Sequence, residues 1–162
     1  MTIITVTAPE ARLSVAQRRQ LAKTLTDAVL EPEVGQPAPP ARIGFQVHFR
    51  ELPADCMAIG GELLSDQKSP RDIMTVNVAV MDAAWPAQLR ERVIRGVLAR
   101  LAEACDMPKP SANWWVTFQV IEEGSWGSRG SVVSILQLLD SGAFTAERVR
   151  AIRDAIPAQV SN

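Results

Sequence analysis

Few side chains in this sequence are able to do chemistry. His48 is the single histidine. It stands between Gln46 and Arg50 in an alternating stretch, and its ordinary pKa near working pH makes it a candidate general base. The competing role is that of a surface or interfacial histidine. Arg129 ends the loop Gly124-Ser125-Trp126-Gly127-Ser128-Arg129, where its planar fork can hold a carboxylate or simply brace a turn. Glu122 and Glu123 precede that loop, as caps or as acids facing water. Trp114, Trp115 and Trp126 can wall an aromatic pocket, although large aromatics equally fill cores and interfaces. The chain has no tyrosine, so no phenol can serve as an acid.

One histidine and two distant cysteines, Cys56 and Cys105, exclude a multi-histidine metal site and argue against a Cys-rich zinc site and a disulfide framework. No metal and no cofactor is expected. The formal charge is −1, with no dense block of either sign, which argues against a nucleic-acid surface. Arg148, Arg150 and Arg153 read as the wet face of a terminal helix. No apolar run reaches the length of a membrane span. The opening Met1-Thr2-Ile3-Ile4-Thr5-Val6 lacks the basic and apolar regions of a signal peptide, so a cytoplasmic protein without membrane contact is expected.

The elements that must position these groups are legible from periodicity. Thr2 to Ala8 alternates as a strand. Ser14-Val15-Ala16-Gln17 has the form of a capping box. Leu21, Leu25, Ala28 and Val29 then give a helix that should end before Pro32. A proline-rich link leads to a strand over Ile43 to Glu51, with Phe45, Val47 and Phe49 on one face and Gln46, His48 and Arg50 on the other. Met74 to Met81 reads as a strand covered on both sides. Pro86 suits a helix start, and Leu89, Val93, Val97 and Leu101 run down one side of that helix. Trp114 to Ile121 is the matching last strand, and Ser131 to Leu139 is a further short strand or packed segment. Thr145 caps a third helix, with Phe144 and Val149 as a hydrophobic staple.

Phe-Gln-Val occurs at Phe45 and again at Phe118, 73 residues on. The same shift carries Ile3, Thr5 and Thr7 onto Val76, Val78 and Val80, and Leu21, Leu25 and Ala28 onto Ile94, Leu98 and Leu101. The chain therefore reads as two copies of a strand-helix-strand unit, over about 2–65 and 72–139, with a C-terminal helix over about 145–156. Side by side, the copies form one α/β domain: a four-stranded sheet with both helices on one face. Ile4, Val6, Phe45 and Val47 exceed what two helices hide, so a partner subunit is expected to cover the rest. A ferredoxin-like sandwich or a dimeric α+β barrel shares this order of elements.

With the elements placed, the chain resembles the tautomerase superfamily, in particular the fused two-unit members typified by cis-3-chloroacrylic acid dehalogenase. The similar stretches are Arg12-Leu13-Ser14 through Ala28, Phe45-Gln46-Val47-His48-Phe49-Arg50-Glu51-Leu52-Pro53-Ala54 with Ile59-Gly60-Gly61, and Trp115-Val116-Thr117-Phe118 with Trp126-Gly127-Ser128-Arg129. The resemblance implies a homotrimer, a small-molecule ligand and chemistry at an amino-terminal proline. Position 2 here is threonine. Removal of Met1 would leave the Thr2 amine, with an ordinary pKa of about 7.7–8.0, in the role of base.

Carried over one by one, the dehalogenase histidine falls on Val29 and its arginine pair within Asp82 to Trp85. The tyrosine falls on Thr117, the carboxylate near Ser125 with Glu122 closest, and the turn arginine on Arg129, displaced by one residue. The residue reading and the resemblance together give Thr2, His48 and Arg129 as catalytic candidates, His48 from its own chemistry, and Trp85, Thr117, Glu122 and Trp126 as substrate-binding ones. Trp85 in place of an arginine would favour apolar ligands. Proline-dependent dehalogenation is not expected. The expected function is that of a tautomerase, isomerase or cyclase of altered mechanism on a small unsaturated or dicarbonyl compound. The alternatives are a non-catalytic trimeric binding or assembly protein and a dimeric α+β barrel enzyme.

Overall fold

A computed structural model of the chain describes residues 1–156. Strand β1 (Thr2–Pro9), helix α1 (Val15–Val34) and strand β2 (Phe45–Leu52) form a first unit. After the short strands β3 (Ala58–Ile59) and β4 (Glu62–Leu63), the pattern recurs as β5 (Met74–Met81), α2 (Ala87–Ala104) and β6 (Trp114–Ile121). A small hairpin, β7 (Gly127–Ser128) and β8 (Ser131–Val132), precedes the one-turn helix α3 (Ile135–Leu138) and the C-terminal helix α4 (Ala146–Ala155). The main sheet has the order β2-β1-β5-β6, parallel within each unit and antiparallel where β1 meets β5. These are the expected tandem β-α-β units. Because β1 and β2 are direct neighbours, neither unit is split by an inserted strand as in a ferredoxin-like sandwich.

Alternation in β1 decides which face is core: Thr2, Ile4, Val6 and Ala8 are buried, while Ile3, Thr5 and Thr7 point the other way. Pairing sets Ile4 beside Val47 and Val78. These inner faces meet Leu21, Leu25 and Val29 of α1 and Val93, Val97 and Leu101 of α2 in one core. Of the residues expected to need a cover beyond the helices, Ile4 and Val6 are fully buried in this helix-side cluster, which corrects that expectation for them, while Phe45 and Val47 are only partly buried against it. By the same alternation, the opposite face carries the mostly polar set Thr5, Thr7, His48, Asn77 and Thr117.

The shift between the units also needs correction. Buried Ile4 and Val6 match buried Val76 and Val78, and Leu21, Leu25 and Val29 match Val93, Val97 and Leu101, all 72 residues on. A shift of 73 would lay outward Ile3 and Thr5 on inward Val76 and Val78. Phe45 opens β2 opposite Thr2, whereas Phe118 lies mid-strand opposite Val78. The shared tripeptide is thus a coincidence of composition. A strand has a period of two, so a one-residue slip exchanges its faces.

Two helix expectations change as well. The capping box forms, with the Gln17 amide N–H donating to Ser14 Oγ and the Ser14 N–H to Gln17 Oε1. However, α1 continues through Pro32 to Val34 and ends at Gly35, whose φ of 85° is left-handed. Pro32 lies in the last turn, so its missing N–H removes only one hydrogen bond, and the residues after it are held from outside the helix. The Thr145 N–H donates to the Val34 carbonyl at 2.8 Å, and Arg148 Nε to the Glu33 carbonyl at 2.9 Å. Arg148 is thereby half-buried and clasps backbone, which corrects its reading as part of a wet face. Ile152 and Ile156 join the main core, so α4 packs on its own chain.

A bidentate pair stitches the two units together. Arg12, between β1 and α1, grips Asp72, just before β5, at 2.6 and 2.8 Å, and the guanidinium lies 5.7 Å from the centre of the Trp114 ring. No helix among the described residues is long and apolar enough to cross a membrane.

Candidate active site

The start of β1, the last turn of α1 and the β7–β8 hairpin border a cleft of about 1280 Å³. Met1 enters it because its carbonyl accepts the Met81 N–H at 3.2 Å, holding the chain start in line with the sheet. Burial lowers the pKa of the Met1 amine below its ordinary 8.0, against an opposing pull from Glu33. Thr2 follows, almost fully buried, with a hydroxyl that has no hydrogen-bond partner among the described residues.

Glu33 is the principal charged group in this wall. It is 3% exposed, and its Oε2 has no hydrogen-bond partner among the described residues. Burial pushes its carboxyl up to about 7, while the Met1 amine and Arg148 pull the other way. The result is a buried acid and a partly buried amine, both shifted toward neutrality, in one cleft. Such a pair can pass protons near pH 7.

Arg129 reaches the cleft through backbone geometry. The register of β7 and β8 leaves Arg129 and Gly130 as a two-residue turn, with φ of 54° and 78°. Both angles are positive, as a type I′ hairpin turn requires. Arginine is an uncommon occupant of that region, so local backbone preference does not account for it. Arg129 enters none of the ion pairs among the described residues. It is an exposed residue of the cleft lining. Among the described residues no group of three or more His, Cys, Asp or Glu is placed to hold a metal ion.

Of the residues singled out by sequence, Thr2, Trp126 and Arg129 line this cleft. The other four lie outside its wall. His48 is exposed on the open sheet face, its Nε2 3.1 Å from Gln46 Oε1. Thr117 is on the same face and accepts a hydrogen bond from Asn77 Nδ2 at 2.9 Å. Trp85 is buried edge-on against Phe118, ring centres 5.1 Å apart, and its indole N–H donates to the Met81 carbonyl. Glu122 is exposed beyond β6, while its neighbour Glu123 accepts the Ile135 N–H at 3.1 Å. Sequence reasoning missed Glu33 because it ended the helix before Pro32. The signal was present: extending the stripe of Val29 and Leu30 by one turn reaches Glu33 and Val34, an acid on an apolar face.

No family profile and no curated protein matches the chain. Solved structures do. A native fused 4-OT has a TM-score of 0.65 at 22% identity, over 80% of this chain and 94% of its own. A member of the cis-3-chloroacrylic acid dehalogenase family has a TM-score of 0.66 at 16% identity, over 94% and 99%. This chain has the tautomerase-superfamily fold. A third tautomerase-fold structure, Pt0534 inactivated by 2-oxo-3-pentynoate, matches at a TM-score of 0.65 and 17% identity, over 83% and 98%. Related fused 4-OT structures are symmetric and asymmetric trimers. At these identities the likeness concerns the tautomerase fold.

Proposed function

We propose that this chain is a tautomerase or isomerase acting on a small monocarboxylate, a 2-oxo acid or its enol, with its chemistry at the chain start. The observation that carries the reading is Glu33: a buried carboxyl with one oxygen unpartnered among the described residues, pushed up to about 7, in the same cleft wall as a partly buried amine. In ketonisation, the uncharged amine accepts the enol hydroxyl proton while protonated Glu33 delivers a proton to carbon. The reverse step reverses the roles. Among the described residues Arg129 is the one basic side chain of the cleft wall, and it takes the carboxylate. A single cation beside a buried acid favours one anionic group over two. The fold adds support, since one structure with it, Pt0534, is inactivated by a 2-oxo acid.

The test follows the ultraviolet decay of an enolised 2-oxo acid, together with the intact mass that fixes the amino-terminal residue. Catalysis above the buffer rate, with a free Met1 or Thr2 amine, is the expected result. A blocked amine, or no acceleration with any 2-oxo monocarboxylate, removes the reading. Arg129→Gly suits the positive-φ turn and spares the backbone. It is expected to raise KM about tenfold or more, the scale of a charge-assisted hydrogen bond, with the melting temperature unchanged or slightly raised.

Threonine where the superfamily uses proline favours a second reading, a binding protein without turnover, which calorimetric binding in the absence of catalysis would select. We further propose a homotrimer, because fused 4-OT proteins of this fold are trimers and the open sheet face has no cover among the described residues. Light scattering is expected to give three times the 17.6 kDa protomer mass. A dimer would favour the dimeric-barrel alternative instead.

A further inference from the structure

We propose that Arg148, on the C-terminal helix, is a positioning residue for Glu33, so that α4 is part of the site rather than an appendage. This rests on the reading of Glu33 as the site acid. The capping Thr145 side chain accepts the Arg148 N–H at 3.3 Å and fixes the first turn of α4. From there the guanidinium spans two segments: Nε–H donates to the Glu33 carbonyl at 2.9 Å, and a terminal nitrogen donates to the carbonyls of Ala83 and Ala84. The Glu33 carbonyl is among the last four of α1, which have no partner within their own helix. Arg148 therefore satisfies the backbone of the residue whose side chain does the chemistry, and ties it to the segment between β5 and α2.

Gly35 records how closely α4 approaches. A Cβ there would meet Thr145 Oγ1 at 2.5 Å and Arg148 Cγ at 2.9 Å. Arg148 enters none of the ion pairs among the described residues, so its charge is not neutralised by a salt bridge. The charged groups whose fields act on Glu33 are the Met1 amine, just before β1, and Arg148 from α4. Arg129 stands across the same cleft. With the cation removed, the buried carboxyl holds its proton to higher pH.

The experiment titrates the Glu33 carboxyl by carbon NMR in the full chain labelled at glutamate, assigned by its loss in Glu33→Gln, with no substrate present. Arg148→Gln is expected to raise the Glu33 midpoint by about one pH unit, the lower end of the range for an adjacent charge. Arg148→Lys keeps the charge and is expected to leave the midpoint within a few tenths of wild type. In ketonisation, where Glu33 must be protonated, Arg148→Gln should move the alkaline limb of the pH profile in the same direction, with Arg148→Lys restoring it. An unmoved midpoint in folded Arg148→Gln, or a full-unit rise in Arg148→Lys, overturns the proposal. The lysine variant tests it alone should the glutamine variant fail to fold. Absence of turnover in the wild type would defeat the assigned reaction while leaving this titration result intact.

Discussion

Glu33→Gln is expected to cost roughly 10²–10⁴-fold in turnover, the usual worth of a positioned general acid or base, while the fold survives. Glutamine keeps the shape and removes the proton that Glu33 exchanges. The same substitution has a stability signature. The folded-state pKa of Glu33 is about 7 against 4.5 in the unfolded chain. Between those values the folded protein holds a proton that the unfolded chain has released, so stability falls as pH rises from about 4.5 to about 7, and the loss persists above. The size is on the order of 3 kcal/mol. The amine of Met1, whose pKa is lowered from 8.0, works in the opposite sense just below pH 8, so the informative quantity is wild type minus variant. Urea unfolding at pH 4.5 and pH 8 should show Glu33→Gln gaining on wild type at the higher pH. Equal differences at both values would mean that the carboxyl is not shifted.

The largest loss of stability is expected from Leu25→Ala. Leu25 is fully buried in α1, within the cluster that also holds Ile4 and Val6 of β1 and Val97 of α2. Truncation removes its transfer free energy and leaves a void that two helices and a sheet cannot close. The expected cost is about 2–5 kcal/mol, or roughly 2–4 °C of melting temperature per kcal/mol in a domain of this size. Val15→Ala, at a position 58% exposed, should stay within about 0.5 kcal/mol. Thermal and urea unfolding at one protomer concentration compares them. A Leu25→Ala cost below 1 kcal/mol would mean that the core collapses around the gap.

Much of the architecture was legible because it is written in local periods. Alternation over Thr2 to Ala8 and over Ile43 to Glu51, the capping box at Ser14 and Gln17, and the cap at Thr145 depend on neighbours within a few residues, and each forms as read except that the second strand starts at Phe45, after a 3-10 helix over Pro39–Gly44. The tripeptide at Phe45 and Phe118 misled for an equally local reason. It preserves the strand period but not the place within the strand, and only pairing partners distinguish the first residue of β2 from the fifth of β6.

The site was less legible. Arg129, Trp126 and Thr2 lie in the cleft, whereas His48 and Thr117 follow their strand alternation onto the open face, away from it. Glu33 was hidden by Pro32, an end signal that α1 overrides because Thr145 and Arg148 hold its last turn from more than 100 residues away.

By itself, then, the sequence determined the elements, their order in two β-α-β units and the chemical types on hand, because these follow from hydrophobic period and capping. Tertiary structure alone decided which of those types meet. An acid becomes unusual when its surroundings remove water and set an amine and an arginine around it, and in this chain those surroundings come from β1, α1 and α4, the two ends and one long helix.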